Sequence, residues 1–175
     1  MKNTKIKTNH GLIIIIVFIF LFGIVIYLLG NTNKTYVPQT STVINTRDVK
    51  TYSSKSMKFS IDVPDKFHIS DAVDKLTLLD NNKEINIIRN GTDYENISDY
   101  IANFDARRNL IASETKTISI GGNEAVSRMV EFLDQNVKQK SYYIYVDNWV
   151  YILSTSSESL FPVLDQIAQS FRYTP

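Results

Sequence analysis

The chain has 175 residues, with nineteen Lys/Arg against eighteen Asp/Glu, two His and no Cys. No basic excess exists to neutralise a phosphate backbone, which excludes nucleic-acid binding driven by electrostatic attraction. The lack of Cys removes disulfides, thiol nucleophiles and thiolate metal sites, so a folded domain here relies on packing alone.

The first element is the apolar run Gly11–Gly30, GLIIIIVFIFLFGIVIYLLG, which contains no charged residue. At about 1.5 Å per residue, a helix of that length covers about 30 Å, the hydrocarbon thickness of a bilayer. Every face is apolar, which does not suit a helix packed half-wet on a soluble core. The pattern predicts a transmembrane helix whose lipid-contacting side chains include Leu12, Ile16, Phe20, Ile24 and Leu28. Lys2, Lys5 and Lys7 precede it with no acidic residue among them, and Lys34 alone follows closely. This asymmetry predicts that residues 1–10 stay in the cytoplasm and the C-terminal part is exported. A cleavable signal peptide has the same basic flank, but its apolar core is about 7–15 residues and ends in a small-x-small site. The exit Tyr27-Leu-Leu-Gly-Asn-Thr32 offers no such triplet. The expectation is therefore an uncleaved signal anchor in the cytoplasmic membrane, and release after cleavage is the alternative.

Residues 31–50 are dominated by Thr, Asn, Ser and Lys with no apolar periodicity. Such a segment buries too little to fold by itself, and as a coil of about 20 residues it spans roughly 25 Å. It is expected to be a flexible linker to a globular domain over residues 51–175.

Within that domain Phe59, Ile61 and Val63 alternate with polar residues, which predicts a half-buried strand ended by Pro64. Lys75–Asp80 and Glu84–Arg89 read as two strands joined by Asn81-Asn82-Lys83. Ser98 is the expected N-cap of an amphipathic helix over residues 99–111, with Asp99 in its first turn and Ile97, Ile101, Phe104 and Ile111 along one stripe. Thr115–Ile120 and Glu124–Leu133 read as strands around Gly121-Gly122, which supply the positive-φ turn of a hairpin. Lys138–Val146 and Trp149–Thr155 form a second hairpin closed by Asp147-Asn148. That turn places Val146, Ile144 and Tyr142 opposite Trp149, Tyr151 and Leu153, with Tyr145 and Tyr143 opposite Val150 and Ile152. Both faces are apolar, so this hairpin is expected to be central and covered on both sides. A final helix over Ser159–Phe171 presents Leu160, Val163, Leu164, Ile167 and Phe171 to the sheet. The fold class is α+β, with an antiparallel β-sheet of six to eight strands and one helix in the middle and one at the end.

Several of these residues together resemble the PsbP-like superfamily. The opening Phe59-x-Ile61-x-x-Pro64-x-x-Phe67 is similar to its F-x-I-x-x-P-x-x-W pattern, with Phe in place of Trp. Ile118-x-Ile120-Gly121-Gly122-x-x-Ala125 resembles its strand–Gly–strand signature, and the aromatic hairpin and the helix closing on Ser170-Phe171 follow in the same order. The resemblance implies an α/β/α sandwich, an antiparallel sheet flanked by helices. It also implies a role in binding partners without catalysis. No residues match the superfamily's manganese or calcium sites, so no cofactor or metal site is carried over.

The residues themselves give little catalytic chemistry. His68 is the lone His of the domain, too few for a zinc or His-dependent catalytic site, and Ser113, Ser127 and Ser154–Ser159 have no other base to activate them. Asp62, Asp65, Asp71 and Asp74 lack the spacing of a calcium loop and read as a solvated face. Arg107-Arg108 reads as helix-surface charge. Tyr142, Tyr143, Tyr145, Trp149 and Tyr151 carry polar tips on apolar bodies, a composition enriched at interfaces. From that set, Tyr143, Tyr145, Trp149 and Tyr151 are the expected binding surface. The expected function is a membrane-anchored extracytoplasmic binding module that is not an enzyme. Its partners would be membrane lipid through residues 11–30 and an envelope protein or small ligand. The alternative is an envelope hydrolase using paired carboxylates.

Overall fold

The computed structural model describes residues 48–175, which form ten strands and two α-helices. The expected anchor, with Leu12, Ile16, Phe20, Ile24 and Leu28, and residues 31–47 of the expected linker lie outside the described residues. Among the described residues no helix is long and apolar enough to cross a membrane.

The strands are β1 (Val49–Ser54), β2 (Phe59–Pro64), β3 (His68–Asp71), β4 (Lys75–Asp80), β5 (Lys83–Gly91), β6 (Leu110–Ile120), β7 (Asn123–Phe132), β8 (Val137–Val146), β9 (Trp149–Thr155) and β10 (Arg172–Tyr173). The helices are α1 (Ile97–Ala106) and α2 (Phe161–Ser170), the latter preceded by a 3₁₀ turn at Glu158–Leu160. Seven strands form one antiparallel sheet in the order β3-β4-β5-β9-β8-β7-β6, and β1-β2-β10 form a small second sheet.

The β8–β9 hairpin is near the middle of the large sheet, as its two apolar faces require. Its register pairs Val146 with Trp149, Ile144 with Tyr151, Tyr142 with Leu153, Tyr145 with Val150 and Tyr143 with Ile152. Asp147 and Asn148 have φ of 48° and 61°, the left-handed values that a two-residue hairpin turn demands. On one face Tyr142, Ile144, Tyr151, Leu153, Leu76 and Ile87 pack against α2 and the small sheet. On the other, Val126, Tyr143, Val150 and Ile152 meet Ile97 of α1. Thus the helices lie on opposite faces, and α2 buries Val163, Leu164, Ile167 and Ala168.

Three boundaries differ from expectation. Asn96, not Ser98, caps α1, because its extended backbone lets Oδ1 accept from Asp99 N at 2.9 Å. The helix ends at Ala106, since Leu110–Ser113 pair with Met129–Phe132 and so join the ladder, leaving Ile111 on a strand and 55% exposed. The β4–β5 connection is two residues, Asn81-Asn82, with Asp80 paired to Lys83.

Gly121 is constrained twice. Its φ is +59°, and an added Cβ would stand 2.7 Å from the Phe171 carbonyl oxygen. The β6–β7 turn therefore presses directly against the end of α2.

Candidate functional site

The large sheet has two ends. The Gly91–Trp149 pair, the Asp147-Asn148 turn and the Gly121-Gly122 turn lie at one, called here the hairpin-tip end. The opposite end carries Asn81-Asn82, the Leu133–Asn136 turn and Thr155.

The four expected aromatic residues divide between the two faces. Tyr143 and Tyr145 are on the α1 side, and Trp149 and Tyr151 are on the α2 side. Tyr143 and Tyr151 are fully packed, at 2% and 0% exposure, whereas Tyr145 and Trp149 are half-buried. Alternation along a strand makes one continuous surface from all four impossible. The aromatic edge that reaches solvent consists of Tyr145 and Trp149 at the hairpin tip.

Trp149 lies across Gly91, its cross-strand partner: a methyl group added there would be 3.4 Å from Cζ3. The Arg89 guanidinium is 4.4 Å from the centroid of the indole, a cation–π contact worth about 0.5–2 kcal/mol. Arg89 also donates to the Ser56 carbonyl at 2.8 Å and to Asp74 Oδ1 at 2.9 Å. Its Nε is buried without a hydrogen-bond partner. Opposite Arg89 on β9, Tyr151 donates from its hydroxyl to the Met57 carbonyl at 2.6 Å. Burial pushes the Tyr151 phenol up to about 12, with Arg89 acting in the other direction. Tyr173 lies 6.5 Å from Tyr151 between ring centroids, and its phenol is raised by desolvation and by Asp147. The exposed Val73, beside Asp74, completes this end. On the other face, the Tyr145 hydroxyl donates to the Tyr94 carbonyl at 2.9 Å, which brings Tyr94 and the α1 entry loop to the same tip.

A second cluster secures α1. Arg128 is 2% exposed and makes a bidentate pair with Asp105 at 2.7 and 2.8 Å, while Nη2 donates to the Tyr143 hydroxyl at 3.1 Å. Burial opposes its charge, yet the hydrogen bonds it donates to Asp105 and Tyr143 outweigh this and raise its pKa. The guanidinium also faces the rings of Tyr143 and Phe104. On the other face Asp165 ties α2 to the sheet, accepting from Lys140 and from the Tyr142 hydroxyl at 2.7 Å. These two constellations hold helices in place and do not gather reactive groups around a space.

Arg89 and Arg128 were both visible in the strand periodicity. Arg89 follows Ile85 and Ile87 in phase, and Arg128 stands between Val126 and Val130. A cation in an apolar phase requires a buried partner. Tyr173 and Asp74 gave no such signal, because only tertiary packing brings them to Trp149.

The opposite end has an open cavity of about 460 Å³ lined by Asn136, Val137, Lys138, Ser156 and Glu158. Glu158 is the single carboxylate of this lining, whereas glycoside hydrolysis employs two. Among the described residues no group of three His, Asp or Glu is placed to hold a metal ion. His68 is exposed on β3. Asp71 is engaged by the Tyr52 and Ser54 hydroxyls, and Asp62 by Thr51.

No protein-family model matches the sequence, and no curated protein matches it. Among solved structures the chain is similar to the solution structure of cyanobacterial PsbP (CyanoP) from Synechocystis, with a TM-score of 0.52 at 10% identity, over 75% of this chain and 95% of that one. A crystal structure from Bacteroides thetaiotaomicron is similar with a TM-score of 0.51 at 13% identity, over 73% of this chain and 49% of that one, so the match spans about half its length. LpqN of Mycobacterium tuberculosis, involved in cell envelope biogenesis, gives a TM-score of 0.45 at 11% identity, over 73% and 91%. The fold of the described residues is PsbP-like, and the resemblance carried by Phe59, Ile61, Pro64 and the Gly121-Gly122 turn holds at that level.

Proposed function

We propose that this chain is a membrane-anchored binding module. The Gly11–Gly30 run spans the cytoplasmic membrane with the N-terminus inside, and the PsbP-like domain recognises another envelope protein on the outer side. The observation that carries the binding role is the hairpin-tip cluster. It combines a half-buried Trp149, a guanidinium over its ring and the half-buried Tyr173 on one face with the half-buried Tyr145 on the other, residue types that dominate interface energetics. Arg89, held by Asp74 and Ser56, fixes the indole before any partner arrives, so little side-chain freedom is lost on binding.

The chain enters the domain at the other end. Asp48 accepts from Asp65 N at 2.8 Å, and Lys66 pairs with Asp80 beside the β4–β5 turn. Asp48, the first described residue, and the hairpin tip are thus at opposite ends of the sheet.

The test uses the full-length chain in native membranes. Resistance to alkaline carbonate extraction supports the anchor. Chemical crosslinking that yields one saturable adduct, lost in Trp149→Ala with the chain still folded, supports the binding site. Extraction by carbonate sinks the anchor, and an adduct indifferent to Trp149 sinks the site.

A further inference from the structure

We infer that α1 is a cover that lifts from the sheet as a unit while the strands stay paired, and that the buried Arg128–Asp105 pair is the latch that holds it shut. Neither an anchor nor a partner at the hairpin tip is needed for this. The two helices form a natural comparison, since each has ten residues and packs on one face of the same sheet. α2 buries Val163, Leu164, Ile167 and Ala168, whereas α1 buries Ile97 alone. Tyr100, Ile101 and Phe104 add contacts that are only half-buried. An element with few buried apolar contacts opens at a lower free energy than the whole domain unfolds. The strands beneath it are packed far better: Val126, Tyr143, Val150 and Ile152 are at most 8% exposed.

Polar ties do the rest of the holding. Arg128 grips Asp105 near the C-terminal end of α1, and Asn90 Nδ2 donates to the Tyr100 hydroxyl at 3.0 Å. On α2 the corresponding tie joins Asp165 to Lys140, whose side chain is 21% exposed, against 1% for Arg128. Arg128 therefore gives up more hydration, and its Nε is buried without a hydrogen-bond partner. A buried donor left unsatisfied raises the energy of the closed form. Lifting α1 returns the guanidinium to water, which lowers the cost of opening. Asp105, 31% exposed, is the member of the pair that water already reaches.

The topology permits such a movement. α1 belongs to the crossover from β5 to β6, residues 92–109, none of which pairs in a strand ladder. Thr92 N donates to the Asn148 carbonyl at 2.9 Å and Leu133 N to the Asn109 carbonyl at 3.0 Å, so both ends of the crossover are pinned and the hinges fall within residues 93–96 and 107–108. β5 ends at the hairpin tip and β6 starts at the opposite end, four strand spacings away. That diagonal is roughly 40 Å, and the eighteen residues of the crossover reach about 60 Å when extended. The seven-stranded ladder thus stays whole with α1 displaced. Tyr143 then joins Tyr145, two residues along β8 on the same face, and the aromatic edge at the hairpin tip extends inward.

The absence of Cys makes the test direct. Val150→Cys places a thiol beneath α1, and Val63→Cys places one in the core on the α2 side; both valines are 0% exposed. Each substitution is made singly, and its reaction with a thiol reagent is followed through a series of low urea concentrations while Trp149 fluorescence reports the fold. The thiol at position 150 is expected to react at least about tenfold faster than the one at 63 without urea. Its urea dependence should be shallow, merging with the steep global one near the unfolding midpoint. Adding Asp105→Ala should speed the reaction at 150 on the order of 100-fold. Hydrogen exchange of the unsubstituted chain makes the same comparison, amides 97–106 against 161–170, and answers the question even where a cysteine variant does not fold. Equal rates and urea slopes at the two positions, or equal protection of the two helices, overturn the inference. A reaction at 150 that Asp105→Ala leaves unchanged overturns it too, because the pair is then no latch.

Discussion

Removing the two partners of the Arg128–Asp105 pair one at a time should give unequal losses. Arg128 is 1% exposed at its side chain and Asp105 is 31% exposed. Asp105→Ala leaves a guanidinium inside the sheet–α1 interface with the Tyr143 hydroxyl as its remaining polar partner. Stranding a buried charge in this way costs about 3 kcal/mol, the lower end of the range for broken buried pairs because Asp105 is partly wetted. Arg128→Met instead leaves a carboxylate that can turn to water and fills the space with an apolar chain of similar length. Its main cost is the Tyr143 hydroxyl left unpaired, about 1 kcal/mol. The difference of about 2 kcal/mol moves a urea midpoint by about 1 M at a slope of about 2 kcal/mol per M. Trp149, the sole Trp of the chain, reports the transition by fluorescence. The double variant Arg128→Met/Asp105→Ala should sit near Arg128→Met alone. If Arg128→Met proves as costly as Asp105→Ala, packing of the guanidinium outweighs its buried charge and the reasoning fails.

Two further outcomes follow from the geometry. Gly121→Ala should destabilise clearly more than Gly122→Ala: both turn positions have positive φ, which costs an alanine about 1–2 kcal/mol, but a Cβ on Gly121 also meets the Phe171 carbonyl at 2.7 Å while one on Gly122 meets nothing within 4 Å. Equal urea midpoints for the two variants would refute this. Alkaline pH should weaken the fold, because Tyr52 and Tyr151 are both pushed up to about 12, chiefly by burial. A phenol whose pKa is higher when folded holds its proton more tightly in the fold, so its contribution is complete below about pH 10 and disappears as pH rises toward about 12. Urea midpoints measured from about pH 8 to about pH 11.5 should fall only in the upper part of that window, and Tyr151→Phe should flatten part of the decline.

The sequence carried the architecture where local and tertiary preferences agree. The β8–β9 hairpin was readable to the register because both its faces are apolar and Asp147-Asn148 suits left-handed φ. The stripe of Leu160, Val163, Leu164, Ile167 and Phe171 was readable for the same reason. Legibility failed where two local options compete. Asn96 and Ser98 are both good caps, and Ile111 fits a helical stripe as well as a strand until Phe132 and Glu131 are known to lie across from Leu110 and Ile111. The β6 bulge, with Glu114 at a φ of 51°, has no glycine to announce it. At the candidate site the aromatic residues were evident, but their division between faces follows from strand alternation, and the Arg89–Trp149 contact depends on the pairing of β5 with β9.

A photo-crosslinking amino acid placed at Tyr173 of the chain in native membranes reports whether an anchored domain binds through the hairpin tip. Tyr173 is half-buried beside Tyr151 at the tip. A single adduct is expected in the carbonate-resistant fraction, abolished by Trp149→Ala and absent when the probe is moved to Asn136 at the opposite end. An adduct formed equally from both positions, or none from Tyr173 while the chain remains in the membrane, would contradict it.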